Sequence, residues 1–341
     1  MKKIFLFLIS SLLCVASLNA QTWQIGWPEA SDVEATLNGK TLTISGTGAM
    51  KDYNGFINLP WGGHIHSLTT VIIEEGVTVI GSCAFQLFMN LSDISFPKTL
   101  KSISESAFEG CAIQHLSLLG TSLEEIGKSA FQSCTQLVTV SLPASVATIG
   151  YSAFGNCPAL QSIEVDAAND NYLSDDGILF NKSKTTLVSF PGAIQGVYSL
   201  PSSVEIILEK AFNGSNIHSV EIMNSNLKII SAYAFLYCKR LTSIMIPASV
   251  EIIGNYSFSH STSLIEVVCF SSTPIPIQRN HFYNIELENC ILRVPSASLQ
   301  KYRQADVWKE FGSIVALDEA TIEISLDKSE IYLLTCMLSS I

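Results

Sequence analysis

Hydrophobic and polar side chains alternate in short stretches along this chain, and the alternation returns every 23 residues. In the stretch 137–143, Val140 and Leu142 alternate with Thr139 and Ser141. An alternation of this kind predicts a half-buried β-strand, with one face toward a core and the other toward solvent. The proline at the end of the stretch cannot donate to a strand ladder, so it predicts the end of the strand.

A phenylalanine closes each unit of the repeat, in variants of the phrase Ile-Gly-x-x-Ala-Phe that occurs at 80–85 and 149–154. A strict period of this length indicates a solenoid, because no single unit can bury its own apolar face and stacked neighbours must do so. The phenylalanines predicted to form the structural core of the repeat are Phe85, Phe108, Phe131, Phe154, Phe212, Phe235 and Phe258.

The predicted fold is therefore a repeat solenoid of about ten coils of ~23 residues each. Each coil is expected to give one strand to a concave parallel β-sheet and a short helical or 3-10 turn to the convex side. The spacing breaks once, because 58 residues separate Phe154 from Phe212. The surplus predicts an inserted loop at 166–186, with a hairpin-like stretch at 175–180, followed by an irregular coil.

Four aspartates crowd the inserted loop. Carboxylate oxygens are ligands for Ca²⁺, but the spacing does not follow a known calcium loop. A solvated acidic loop is therefore the favoured interpretation, with calcium binding as the alternative. The residues concerned are Asp166, Asp170, Asp175 and Asp176.

Both ends of a solenoid need a cap, because a bare coil would expose its core. We expect an N-terminal capping segment at 21–66, the repeats at 67–290 and a C-terminal cap at 291–316. The remaining tail, 317–341, has a different pattern and reads as two short strands. The side chains predicted to close the two ends are Trp23, Trp27, Trp61, Leu299, Tyr302, Trp308 and Phe311.

Residues 1–20 are predicted to be a signal peptide, with Lys2 and Lys3 before an apolar run and cleavage before Gln21. A lipoprotein signal at Cys14 is the disfavoured alternative. No later stretch has the ~18 apolar residues that a membrane-spanning helix needs. The sequence thus predicts an exported protein without a membrane span.

Composition narrows the classes of partner. Hydrophobic residues make up 48% of the chain and charged residues 14%, as expected if every coil buries an apolar column. The formal net charge is -11, and such an excess of negative charge repels nucleic acid and anionic membranes. A nucleic-acid partner is therefore not expected.

The cysteines follow the repeat. Four of them occupy the position three residues after a repeat phenylalanine, which predicts a column of small, buried, free thiols. Stacked coils would bring neighbours of that column about 5 Å apart, so disulfide bridges are the alternative. Cys269 and Cys290 fall out of register and are not expected to pair. The column comprises Cys111, Cys134, Cys157 and Cys238.

The phrase LTSIMIPASVEIIGNYSF at 241–258 resembles the BspA-like leucine-rich repeat. The stretches 41–50 and 59–61 are similar to the leading segment of that family, and 292–299 is similar to its closing segment. The resemblance implies a leucine-rich repeat fold in a secreted or surface protein. It also implies a Gram-negative gut or oral bacterium and adhesion to host matrix proteins, other bacteria or epithelial cells. The tail from 324 resembles the opening of a bacterial Ig-like domain and then departs from it.

The concave sheet is the natural contact surface of a solenoid. Alternation places two columns of outward side chains there, many of them serine or threonine, which gives a shallow and weakly acidic floor. Such hydroxyls could bind a protein strand or a glycan, or they could merely solvate an exposed sheet. The candidate binding residues are Asp93, His115, Thr139, Ser141, Glu164, Ser219, Glu221 and Glu266.

Catalysis is not expected, because none of the histidines sits in a recognisable nucleophile motif. His115 and His218 belong to coils about 19 Å apart and cannot share a metal. His64 and His66 could hold a metal only with a third ligand, so solvated histidines are favoured. The sequence thus predicts a non-enzymatic interaction protein without cofactor or metal, and the family resemblance implies an adhesion protein that binds an extracellular host matrix or cell-surface protein. The alternative is a glycan-recognition component of a bacterial envelope complex.

Overall fold

The computed structural model describes residues 20–55, 58–222 and 226–317. The chain winds into a solenoid of about eleven turns with parallel sheets, which confirms the predicted fold class. The first ladder of strands, on the concave side, falls into three sheets. Their strands are Gln21–Gln24, Val33–Asn38, Thr41–Gly46, Thr70–Ile73 and Asp93–Ser95; His115–Ser117, Thr139–Leu142 and Ser162–Val165; and Gly196–Ser199, Ile217–Glu221, Ser243–Ile246, Glu266–Cys269, Ile291–Val294 and Ser313–Ala316.

A second ladder of shorter strands runs beside the first and falls into two sheets. Its strands are Gly26–Trp27, Gly48–Met50, Val77–Ile80, Ser102–Ile103, Glu125–Ile126 and Thr148–Ile149; and Tyr172–Asp175, Ile178–Asn181, Thr186–Ser189, Ile206–Ile207, Ile229–Ile230 and Ile252–Ile253. The α-helical segment is Leu299–Gln304. The 3-10 helices are Ala30–Asp32, Gly62–His64, Arg279–Phe282, Leu287–Asn289, Ser296–Ser298 and Trp308–Glu310.

The repeat phenylalanines form a stack of nearly parallel rings along the core. The Phe131 ring lies 5.4 Å from that of Phe108 and 5.9 Å from that of Phe154, at interplanar angles of 8° and 12°. All seven predicted members are buried. Phe190 belongs to the same stack, although the sequence analysis did not include it, and its ring lies 4.5 Å from that of Phe212.

The convex side differs from the predicted short helical or 3-10 turns. Alternate N–H groups do bond within the turn, as Ala153 does to the carbonyl of Gly150. The groups between them bond to the next coil, as Phe131 does to the carbonyl of Ala153 at 2.8 Å. This alternation requires a residue with a left-handed backbone on each side of the phenylalanine. For Phe154 these residues are Ser152 and Asn156, with φ values of 58° and 54°. At the phenylalanine of the last such coil, Arg279–Phe282 does form a 3-10 helix.

The stretch 166–186, for which the sequence predicted an inserted loop, is largely a β-hairpin of Tyr172–Asp175 and Ile178–Asn181. Asn169 organises the turn before it and is fully buried. Its amide nitrogen donates to the carbonyls of Pro143 and Val146 at 3.1 and 2.9 Å. Its amide oxygen accepts the N–H groups of Asn171 and Tyr172, each at 2.8 Å. The insertion is thus fixed to the preceding coil.

Two neighbouring strands, Ile178–Asn181 and Thr186–Ser189, divide the apolar core into two clusters. Leu179 and Val188 belong to the apolar cluster of the N-terminal coils. Phe180 and Leu187, their neighbours along the chain, belong to the cluster of the C-terminal coils. Successive side chains of a strand point to opposite faces, so the two strands serve both clusters at once.

Aromatic side chains lie at both ends of the stack. The Trp61 ring stacks on Phe85 at 5.7 Å, and its indole N–H donates to the carbonyl of Ala84. Trp23 packs against Trp61 at 6.2 Å. Trp27 does not help to close this end, contrary to the prediction, because its side chain is 66% exposed. At the far end, Tyr302, Trp308 and Phe311 are buried beyond the Phe282 ring.

The described cysteines are free thiols, as predicted. Each column thiol donates to the carbonyl of a phenylalanine one coil back, as Cys134 does to Phe108 at 3.2 Å. Ser261 occupies the same position and donates to the carbonyl of Phe235 at 2.7 Å. The column therefore consists of small donors, and both thiol and hydroxyl groups occur in it.

Candidate functional site

The first outward column of the concave face runs as the sequence analysis placed it. Strand register puts His115 beside Thr139 and Thr139 beside Ser162. Ser219 lies between Val197 and Ser243 in the C-terminal sheet. The ladder is interrupted after Asp93–Ser95 and again at the hairpin. The full column is Thr70, Asp93, His115, Thr139, Ser162, Val197, Ser219, Ser243, Glu266 and Ile291.

The second outward column lies two residues further along each strand. Ser141 is paired with Ser117 and with Glu164, and Glu221 is paired with Ser199. Glu164 is exposed, and Ser141 is half-buried. The eight candidate residues therefore lie on one face, but they are divided among three sheets. The full column, in which Val268 is buried, is Ile72, Ser95, Ser117, Ser141, Glu164, Ser199, Glu221, Met245, Val268 and Arg293.

Several candidate side chains already bond to their neighbours on this face. The His115 ring nitrogen Nδ1 lies 2.9 Å from the Thr139 hydroxyl. The Ser243 hydroxyl donates to that of Ser219 at 2.9 Å. Glu266 forms an ion pair of 2.6 Å with Arg293, so its charge is compensated. Glu164 therefore offers a more accessible carboxylate than Glu266.

The concave face extends further than the sequence analysis proposed. Three antiparallel strands, Gln21–Gln24, Val33–Asn38 and Thr41–Gly46, continue the first sheet at its N-terminal end. Thr22, Thr36 and Thr43 therefore lie in one row with Ile72. The sequence signal for this extension of the sheet was the alternation at 41–46, which lies in the predicted N-terminal capping segment. The capping segment thus contributes to the outward face as well as to the core.

Exposed apolar side chains interrupt the hydroxyl floor. Val197 is 60% exposed, and Ile72 and Ile291 are each more than one third exposed. All three lie in the two outward columns. The face therefore combines hydrogen-bonding groups with apolar positions that a partner could cover.

A second surface feature lies on the convex turns and was missed by the sequence analysis. Tyr233 stacks on Tyr256 at 5.2 Å, and Tyr237 stacks on His260 at 4.6 Å. Tyr283 packs edge-on against both Tyr256 and His260. Each stacked pair is one repeat apart, and that 23-residue spacing was the available signal. We name these five residues the convex aromatic patch.

A cleft of about 390 Å³ adjoins the convex aromatic patch. It lies between the turn at Asn156 and the turn at Tyr237, with Gly214 between them. Its lining is polar apart from one aromatic ring and one proline. The lining residues are Asn156, Pro158, Gly214, Ser215, Asn216, Tyr237 and Lys239.

Chemistry-bearing groups are dispersed over the described part of the chain. Within it, no group of three or more His, Cys, Asp or Glu residues is arranged to hold a metal ion. In the acidic stretch, Asp166 accepts the N–H of Ala168 and Asp175 pairs with Lys184. Burial raises the pKa of the Cys134 and Cys238 thiols to about 12. These thiols are protonated at neutral pH and are poor nucleophiles.

The described residues include no helix long and apolar enough to cross a membrane. Residues 1–19 of the predicted signal peptide and residues 318–341 of the tail lie outside the described residues.

Comparisons with known proteins agree with the geometry. A family model described as the BspA type leucine rich repeat region matches residues 64–185 and 190–303, in 6 copies. These two segments make up more than half of the chain. A search of curated proteins found no match.

Solved structures of bacterial proteins resemble the chain to different degrees. A leucine-rich repeat protein from Eubacterium ventriosum ATCC 27560 superimposes with a TM-score of 0.62 at 23% identity, over 89% of this chain and 86% of that chain. The pneumococcal vaccine antigen PcpA gives a TM-score of 0.48 at 17% identity, over 84% and 97% of the two chains. A leucine rich cell surface protein from Faecalibacterium prausnitzii A2-165 gives 0.44 at 18% identity, over 88% and 94%. At 23% identity, the likeness to the Eubacterium ventriosum protein extends to the fold alone.

Proposed function

The chain belongs to the BspA-type leucine-rich repeat family, and we propose that it is an exported, non-enzymatic protein whose concave face binds an extracellular protein. The observation that carries the proposal is the pair of outward columns, which hold hydroxyl groups and exposed apolar side chains in register. The partner we propose is a host matrix or cell-surface protein.

The size of the face determines how much of it such a partner covers. The C-terminal sheet has six strands, and five steps of ~4.8 Å between strands span about 24 Å. Its strands are four or five residues long, about 13–16 Å at ~3.3 Å per residue. A specific protein–protein interface buries about 800 Å² on each side, so a partner must contact more than this one sheet of the face.

The composition of the face predicts the character of binding. Strong interfaces depend on a few buried aromatic or arginine anchors, whereas the two columns hold one arginine, which is paired with Glu266. Many short contacts to hydroxyls, with a few apolar positions such as Val197, then supply the affinity. We expect weak binding that a ligand with repeated sites or a crowded cell surface would strengthen by avidity.

A binding assay with one charge reversal tests the proposal. The purified chain is applied to an array of matrix and cell-surface proteins, and Glu164→Lys is compared with Glu251→Lys. Both glutamates are exposed, but Glu251 precedes a strand of the second ladder. We expect saturable binding that Glu164→Lys weakens and Glu251→Lys leaves unchanged. Binding that neither or both substitutions alter would contradict a concave site, and so would an array without any ligand.

A further inference from the structure

The convex turns carry bulky rings where the backbone favours small residues. Each turn has two left-handed residues four positions apart, and Ser133, Asn156 and Gly214 occupy the second of these in earlier coils. In the later coils the equivalent residues are Tyr237, with a φ of 58°, and His260, with a φ of 60°. A left-handed conformation costs an ordinary side chain about 1 kcal/mol. Rings kept at such positions point to a role at the surface, since strained residues cluster at functional sites.

Another ring of the protein covers one face of the Tyr237 ring, and the other face is open. The His260 ring covers the first at 4.6 Å. The second faces the preceding coil, where the equivalent residue is Gly214 and has no side chain. The cleft lies beside Gly214, between Tyr237 and the turn at Asn156, and Asn156 fills the place that a side chain on Gly214 would take. Tyr237 is 43% exposed, so the ring forms one wall of an open slot.

Hydrogen bonds from their amide nitrogens hold the two asparagine side chains that line the cleft. The Asn156 amide nitrogen donates to the Ser133 hydroxyl at 3.0 Å, and the Asn216 nitrogen donates to the Pro158 carbonyl at 3.3 Å. Both amide oxygens are then available as acceptors. The Asn156 side chain lines the cleft, and its oxygen lies against Gly214, 2.6 Å from the position that a Cβ there would take.

Lys239 gives the cleft its only charge. It is exposed, and its ammonium makes no hydrogen bond or ion pair to any residue in the described ranges. No carboxylate lines the cleft, although the chain as a whole carries a net charge of -11. A ligand here would meet an aromatic face, two amide acceptors and one cation.

We propose that this cleft binds a pyranose sugar that carries a carboxylate, such as a uronic acid residue of a glycan. The C–H face of the sugar stacks on Tyr237, its hydroxyl groups donate to the oxygens of Asn156 and Asn216, and its carboxylate pairs with Lys239. The volume of about 390 Å³ lies at the lower end of the range for ligand sites and suits one sugar residue. The site is separate from the concave face and does not depend on a protein partner.

Titration calorimetry of the purified chain with methyl glucuronide and methyl glucoside tests the proposal. We expect the glucuronide to bind and the glucoside to bind about tenfold more weakly or not at all, a difference of ~1.4 kcal/mol. Tyr237→Ala and Lys239→Gln should each weaken glucuronide binding by about tenfold or more. Tyr237→Phe keeps the ring and should bind as the unchanged chain does, which separates loss of stacking from loss of fold.

Two controls make the outcome specific. Tyr283→Ala removes another exposed ring of the convex aromatic patch that does not line the cleft, and it should leave binding unchanged. Glu251→Lys, at an exposed position beside the second ladder that does not line the cleft, should also leave it unchanged. No binding of the glucuronide at millimolar concentration, equal binding of the two sugars, or full binding by Tyr237→Ala would each overturn the proposal. None of these results bears on protein binding by the concave face.

Discussion

The alanine that precedes each repeat phenylalanine forms a buried column, and one member of the column is a serine. Ser257 is fully buried, as is its counterpart Ala234 one coil earlier. Its hydroxyl has no hydrogen-bond partner among the described residues. We therefore predict that Ser257→Ala stabilises the protein. The column is Ala84, Ala107, Ala130, Ala153, Ala211, Ala234 and Ser257.

The expected gain follows from the state of the hydroxyl. A buried hydroxyl without a partner costs about 1–3 kcal/mol of desolvation that folding does not return. Removing it leaves a space of one atom, which costs about 1 kcal/mol or less because the Cβ and its contacts remain. The net gain in the free energy of unfolding should be about 1 kcal/mol. The reverse change, Ala234→Ser, places a hydroxyl in an equally buried site and should lose about 1–3 kcal/mol.

Urea unfolding followed by circular dichroism measures both changes. A solenoid transmits local stability to its neighbours, so the midpoint of the transition that includes the C-terminal coils should rise for Ser257→Ala. It should fall for Ala234→Ser. A lower midpoint for Ser257→Ala would mean that the hydroxyl has a partner, and an unchanged midpoint for Ala234→Ser would mean that the column tolerates polar groups. Either result would refute the reasoning.

Three further predictions concern the core. Phe131→Ala should cost about 3–5 kcal/mol, because the ring is fully buried between two parallel rings; urea unfolding identical to that of the unchanged chain would contradict the stack. Raising the pH above about 9 should destabilise the fold, since the pKa of Cys134 and of Cys238 is about 12 when folded and near 9 when unfolded. Only the unfolded thiols ionise between these pH values, so the free energy of unfolding falls as pH rises, by roughly 1–2 kcal/mol per thiol at pH 10. Urea unfolding at pH 8 and pH 10 measures the loss, and equal stability at the two pH values would contradict the prediction. Cys134→Ser should keep the bond to the Phe108 carbonyl and stay within about 1 kcal/mol of the unchanged chain, whereas Cys134→Ala should lose about 1–2 kcal/mol; equal midpoints for the two variants would show that the bond contributes nothing.

The periodic features of the fold could be read from the sequence. The 23-residue spacing of the phenylalanines located the ring stack, and alternation within 137–143 located the outward columns. Phe190 escaped notice because it precedes Pro191 and lacks the preceding alanine of the repeat phrase. The backbone nevertheless holds it in the repeat position, where its N–H bonds to the carbonyl of Ala211.

Features that depend on the order of stacking could not be read in the same way. The cleft exists because the stacking brings together two turns that are 58 residues apart in sequence, with the hairpin and one further coil between them. The turn at Asn156 lies directly against Gly214, and the Asn156 N–H donates to the Asn213 carbonyl at 2.8 Å. Neither Asn156 nor Gly214 is unusual in its own segment. Trp27 was predicted to close the N-terminal end because it is a large aromatic residue in the capping segment. The tryptophan that is fully buried there is Trp61.

Protein binding by the concave face is the central claim, and a pair of matched substitutions tests it most directly. Val197 is 60% exposed on the first outward column, and Ile252 is 53% exposed on the second ladder. The affinity of the purified chain for a protein ligand from the array is measured by biolayer interferometry for Val197→Glu and Ile252→Glu. We predict about tenfold or more weaker binding for Val197→Glu, equivalent to ~1.4 kcal/mol, and unchanged binding for Ile252→Glu. Full affinity in Val197→Glu together with a loss in Ile252→Glu would place the contact on the other ladder and contradict the claim.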